Sequence, residues 1–250
     1  MRILTQVWFF FTTLTFLFLL LGFQLAGRPG LFIALLVSLF FIYAALQRGL
    51  KLFKKKLKAK EFAGHDPSGF ISEIQNHKLK FGFNKITIYQ TEHSTPPLIW
   101  KNNANEGHIV INFKLLENLQ FSEIQLLTLF LLSHLENRSF LVTPILSVIN
   151  QSFFSLNIFS ILLSTIVTLV FDIKRDIIKS DKKFKNISTV SNYELGYFIN
   201  KLHKFDFNQT KKKIGTEYFS VLSFQNYILP NQYGIPNLKL RLENIIGFVI

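Results

Sequence analysis

The sequence predicts an α+β fold, mainly α, carrying multi-pass transmembrane helices. Three observations lead there. Apolar residues make up 49% of the 250 positions and Phe alone contributes 29, while charged residues hold to 17%, low for a water-soluble domain. Three long apolar runs punctuate the chain. Between and after them, hydrophobic periodicity switches between the two-residue repeat of strands and the 3.6-residue repeat of helices.

The first run, Ile3 to Leu25, exceeds the roughly 20 residues a helix needs to cross a bilayer. "AGRPG" follows as a turn, and Leu31 to Leu46 is apolar again. Residues 1–47 therefore read as a transmembrane helical hairpin. A cleaved leader fits less well, because the basic start is weak and a second apolar run follows at once. "QRGLKLFKKKLKAK" comes next, and the positive-inside rule places this Lys cluster, with the N-terminus, in the cytoplasm. The cluster also suits contact with anionic headgroups.

From residue 48 to 139 the chain reads as a water-facing α+β unit. "PSGFISEIQNHKLKFG" suggests a short helix and "KITIYQ" a strand. "GHIVINF" alternates Ile109, Ile111 and Phe113 on one face, as a second strand. Asn102, Asn103, Asn105 and Gly107 mark the loop between. A helix is expected over 122–138, with Ser122 and Gln125 as a capping box. Its first turns are apolar on every side, as in a buried central helix. Residues 140–171 form a second hydrophobic pair, a hairpin or re-entrant. Residues 172–250 look helical, with Leu195, Phe198, Ile199 and Leu202 on one face and a last short helix begun by Pro236.

The net charge of +13 admits a basic surface. No nucleic-acid-binding motif accompanies it, and abundant Phe, Lys, Ile and Asn fit a compositional bias instead, so no nucleic acid partner is expected. The chain has no cysteine, which excludes disulfides and thiolate metal sites. Any metal would need His, Asp or Glu.

"LTLFLLSHLENR", Leu127 to Arg138, has the look of a zinc helix. With Leu115, Leu116 and Glu123 before it and "PNLKLRLENI" near the end, the order of parts resembles the HtpX-type membrane zinc metalloproteases, relatives of the CAAX prenyl proteases. That resemblance implies a zincin-like metalloprotease domain. In such a domain two His four apart on a helix bind zinc and the Glu between them is the general base. It puts Phe130 at the first His, Leu131 at the catalytic Glu, and keeps the second His as His134. The third-ligand motif, Arg-Glu-x-x-Ala-Asp, matches "RDIIKSD" with Asp176 at the Glu. The motif's Asp then falls on Ser180 or, shifted by one, on Asp181. In the closing motif Ile235 replaces His, while Pro236 and Arg241 are retained.

The resemblance thus implies a non-catalytic pseudoprotease, with His134 and Asp176 as remnants of the metal set and no cofactor expected. Its role would be scaffolding or regulation at the bacterial cytoplasmic (inner) membrane, with the main domain in the cytoplasm. Its partners would be the lipid bilayer and membrane-protein clients or an active homologous protease. An active zinc endopeptidase in membrane-protein quality control is the alternative. It would need zinc and a replacement base such as Glu123 or Glu136, and Glu136 stands roughly 200° round the helix from His134. A further alternative is an unrelated basic membrane anchor or lipid-binding protein.

Overall fold

The computed structural model describes residues 2–64, 66, 68–92, 96–101, 103–137, 140, 173–205, 236 and 238–247. Apart from Phe140, the apolar pair expected over 140–171 lies outside the described residues. The described part is mainly helical, with a small mixed sheet.

Helix α1 (Arg2–Lys56) is broken at Ala26 (φ −143°, ψ 16°) and Gly27 (φ 60°, ψ −138°). Pro29 falls in the first turn of the second arm, where its missing N–H leaves no bond unmade. The break reverses the chain. A Cβ on Gly30 would collide with the Gly22 carbonyl, and one on Gly22 would lie 2.6 Å from the Ala34 Cβ. Residues eight apart in an unbroken helix are about 12 Å apart, so the arms cross here, backbone against backbone. Phe11–Phe40, which contains the break, is long and apolar enough to cross a membrane. Its outward side chains are bare of protein: Leu25 is 85% exposed and Phe32 73%.

The second arm ends in the folded domain. After β1 (Lys60–Glu61) come α2 (Phe70–His77), a 3-10 turn (Lys78–Phe81), β2 (Lys85–Gln90), β3 (Leu98–Lys101) and β4 (Glu106–Ile111). The sheet order is β1-β2-β4-β3, with β2 and β4 parallel and both outer pairs antiparallel. Strands β2 and β4 follow the β-branched alternation. β3, "LIWK", is a strand the sequence pattern does not announce; its four residues are too few to show a period, yet all are buried. Gly107, which marked both the loop and the start of the expected strand, lies within β4, paired with Ile86 and Lys101, and a Cβ there would run into a methyl of the buried Leu135.

Alternation sorts the sheet into two buried faces. Ile86, Ile88, Ile99, Ile109 and Ile111 meet the helices. Tyr89, Leu98, Trp100 and Val110 meet Leu57, beyond the end of α1. Phe113 does not extend β4. Asn112 turns the chain and its Oδ1 accepts from the Lys114 N–H at 2.9 Å, capping α3 (Phe113–Glu117).

Helix α4 (Phe121–Leu135) begins one residue earlier than expected and its cap differs. Glu123, not Gln125, reaches back, accepting from the Gln120 N–H at 2.8 Å. The same carboxylate accepts from Lys201 Nζ at 2.7 Å, which ties α4 to α6. Then come α5 (Ile173–Ile187), α6 (Asn192–Lys204) and α7 (Leu238–Ile246). Leu195, Phe198, Ile199 and Leu202 of α6 are all buried, as their spacing predicts. α5 packs on α4, and α7 packs on both α5 and α6.

Candidate functional site

The expected zinc helix, α4, carries a solid apolar face. Ile124, Leu127, Phe130, Leu131, Leu132 and Leu135 are all buried. Thr128, Ser133 and His134 share that burial. The Ser133 hydroxyl and the His134 imidazole have short reach, so local backbone is their nearest supply of partners, whereas the Thr128 hydroxyl makes no hydrogen bond among the described residues. Ser133 Oγ donates to the Phe130 carbonyl at 2.8 Å, and His134 Nδ1 donates to the same oxygen at 2.8 Å. That bond orients the ring and leaves Nε2 facing α5.

Helix α5 is strongly basic, yet one stripe of it is buried: Ile177, Ser180, Asp181 and Phe184. These spacings of three and four residues mark one helix face. Asp181 is therefore the acid that α5 turns inward, fully buried. Its Oδ1 lies 3.1 Å from His134 Nε2. Asp176 sits about 140° further round the same helix and is partly exposed.

Arg241, from α7, completes the group. Its Nε donates to Asp181 Oδ2 at 2.8 Å and its Nη2 to Oδ1 at 2.5 Å, a bidentate pair with no exposed side-chain surface on either partner. Nη2 is also 3.3 Å from His134 Nε2. Burial alone would raise the Asp181 carboxyl. Arg241 and the His134 hydrogen bond overcome it, holding the pKa at about 2.

Aromatic side chains close the rest. The Phe130 ring lies 4.3 Å from the His134 ring, meets Phe184 edge-on at 5.4 Å and Phe198 at 6.5 Å, and has the Arg241 guanidinium 5.4 Å from its centre. His203, on α6, is also buried, with Nδ1 donating to the Ile199 carbonyl at 2.9 Å. Burial, then the nearby Arg241, lowers its pKa to about 4, so it is neutral at pH 7.

Of the sequence-predicted site residues, the fold brings together Phe130, His134 and Arg241. Leu131 is fully buried in the apolar core, and Pro236 is buried just ahead of α7. Asp176 is not on the inward stripe. Glu123 caps α4 and pairs with Lys201, while Glu136 follows the helix end and pairs with Lys183. The residue that sequence reading held only as a shifted option, Asp181, is the centre of the group. The signal for it was present: among the charges of "IKRDIIKSDKKFKNI" it alone falls between Ile177 and Phe184 on the apolar stripe.

The donor set does not fit a zinc ion. His134 spends Nδ1 on a carbonyl, and its Nε2 already faces a carboxylate and a guanidinium. A fixed guanidinium at 3.3 Å would repel a dication bound there. Among the described residues no three His, Asp or Glu side chains converge as a metal set. The group is also sealed, with His134, Asp181 and Arg241 all fully buried. It can lock three helices together.

No family model matches the chain, and comparison with curated proteins and with solved structures returns no match.

Proposed function

We propose that this chain is a non-catalytic membrane protein of the HtpX-like, zincin type, a pseudoprotease that scaffolds or regulates at the membrane. One observation carries the reading. His134, Asp181 and Arg241 come from three separate stretches that each resemble a motif of that family, and the three side chains form one hydrogen-bonded group.

The register follows from this group. If Asp181 is the Asp of the third-ligand motif, the ligand position four residues earlier is Ile177, which is buried. First ligand, base and third ligand then correspond to Phe130, Leu131 and Ile177. All three are apolar, and none can bind a metal or take a proton. The ion group would keep the helices in place after the metal was lost.

The rest of the reading concerns the membrane. Each arm of α1 crosses the bilayer, and the reversal at Ala26–Gly27 returns the chain to its starting side. The lysines that follow the second apolar run support a cytoplasmic side, in a bacterial cell, by the positive-inside rule. The partners are membrane-protein clients or an active homologous protease.

Metal analysis of the detergent-purified chain, together with casein cleavage in the presence and absence of a chelator, tests the proposal. The expected result is less than 0.1 zinc per chain, in order-of-magnitude terms for a site lacking three protein ligands, and no chelator-sensitive cleavage. One tightly held zinc per chain, or cleavage that a chelator stops, would overturn it.

A further inference from the structure

The basic end of α1 is joined to the sheet without a linker. The helix closes in a Schellman turn: Ala59 N–H donates to the Lys54 carbonyl at 3.0 Å and Lys58 N–H to the Lys55 carbonyl at 3.2 Å. Lys58 takes the left-handed position, with φ 48°. Two residues on, β1 pairs with β2, Lys60 opposite Gln90 and Glu61 opposite Tyr89. Thr91 Oγ1 donates to the Leu57 carbonyl at 2.7 Å, and Leu57 is fully buried beneath the sheet. Lys54 is pinned as well. Its Nζ donates to Tyr89 Oη at 2.7 Å and stands 4.3 Å from the Tyr89 ring centre and 5.9 Å from that of Trp100.

Between residues 47 and 60 the sequence holds seven cations, Arg48, Lys51, Lys54, Lys55, Lys56, Lys58 and Lys60, and no acid; Glu61 is the first carboxylate after them. Lys55, Lys58 and Lys60 are exposed. Helical rise places Lys54 and Lys55 about 12–14 Å beyond Leu46, the last residue of the apolar run. The headgroup layer of one leaflet is roughly 5–8 Å thick, and a lysine side chain reaches back several ångströms further. The exposed Lys55 ammonium therefore stands at the outer edge of the headgroups, within about one Debye length of the surface charge, with the exposed Lys58 and Lys60 directly beyond the helix end.

We infer that this segment is a lipid-binding collar. Lys55, Lys58 and Lys60 bind the anionic headgroups of the cytoplasmic leaflet, and the rigid Lys54–Tyr89 junction passes that hold to the sheet, fixing the domain's orientation on the bilayer. The occupant is a phospholipid surface because the collar continues directly from a helix with an uncovered apolar exterior. The inference rests on the membrane reading of α1.

The full chain, reconstituted in nanodiscs of phosphatidylcholine alone or with phosphatidylglycerol, is labelled with a membrane-impermeant amine reagent and quantified by mass spectrometry. With phosphatidylglycerol present, Lys55, Lys58 and Lys60 are expected to label about fivefold more slowly, each near-surface lysine's preference being of that order. Lys114 and Lys182, exposed elsewhere on the domain, should not change. High salt should restore the rate, and millimolar inorganic phosphate in phosphatidylcholine discs should not slow it.

Equal labelling in the two lipids overturns the collar, and so does protection by free phosphate, which would mark a soluble-anion site. The variant Lys55→Gln/Lys58→Gln/Lys60→Gln gives a second readout. Native mass spectrometry should show its selectivity for retained phosphatidylglycerol over phosphatidylcholine reduced by up to about a hundredfold, and unchanged selectivity counts against the inference. Alkaline carbonate washing separates the two levels of argument: release of the chain from membranes overturns the membrane reading itself, whereas retention with equal labelling overturns the collar alone.

Discussion

Replacing Arg241 by Met asks whether the buried ion group holds the fold. The guanidinium has no exposed surface and gives two hydrogen bonds to Asp181, at 2.8 and 2.5 Å. Met fills much of the same volume, so the cavity contribution is small. The main effect is electrostatic, because Asp181 remains buried with only His134 facing it. Removing one partner of a buried pair costs roughly 3–5 kcal/mol. For a chain of this size each kcal/mol moves the Tm by about 2–4 °C, so Arg241→Met should melt about 6–20 °C below wild type. Circular dichroism in detergent at pH 7 reads this directly.

The pH dependence sharpens the test. In wild type the Asp181 pKa is depressed from 3.8 to about 2, so its stabilisation is present above pH 4 and is lost as pH falls towards 2. Without Arg241, burial dominates and pushes the carboxyl upward. A raised folded pKa reverses the sign: the contribution is best at low pH and is lost as pH rises. The gap between wild type and variant should therefore narrow on going from pH 7 to pH 4. Asp181→Leu combined with Arg241→Met removes both charges and should recover at least half of the loss. The double-mutant cycle should give a coupling of at least ~2 kcal/mol. An Arg241→Met variant within ~1 kcal/mol of wild type, or a double variant as damaged as the sum of its singles, would refute the reasoning.

Other outcomes follow from the same geometry. Asp181→Ala should cost ~3 kcal/mol or more and Asp176→Ala less than ~1 kcal/mol; equal losses on a melting curve would mean the wrong acid has been placed in the group. Phe130→Ala opens a hole among Phe184, Phe198 and Arg241 and should cost ~3–5 kcal/mol, measured by urea unfolding. His108, buried and beside Lys54 and Lys85, and His203, buried near Arg241, both have pKa values lowered from 6.5 to about 4. Both are neutral in the fold and charge when it opens, so stability should fall as pH drops from 6.5 to 4; His108→Gln should flatten that part of a Tm-against-pH plot. Lys58→Gly should stabilise by ~1 kcal/mol, because glycine adopts φ 48° without strain.

The apolar arms, the "AGRPG" break and strands β2 and β4 were legible because their physics is local: run length, a Gly-Pro turn and β-branched alternation act within a few residues. The buried face of α6 was legible from helical spacing alone. Phe113 was misplaced because a one-residue cap, Asn112, ends the strand that alternation would continue. The start of α4 was set by Glu123, whose second partner, Lys201, is 78 positions away in sequence. β3 is too short to carry a period of its own, and its pairing with β4 makes it a strand.

By itself the sequence determined that positions 130 and 131 can neither bind nor use a metal, since the Phe and Leu side chains have no lone pair to offer. It also fixed which segments are apolar enough to seek a bilayer. Only the tertiary structure decided which acid faces His134. Asp176 and Asp181 lie on one helix five residues apart, and a helix turns that spacing into roughly 140°. Which side of α5 is inside depends on where α4 and α7 pack against it. That packing brings a histidine, an aspartate and an arginine from three helices within hydrogen-bonding distance, with no exposed surface between them.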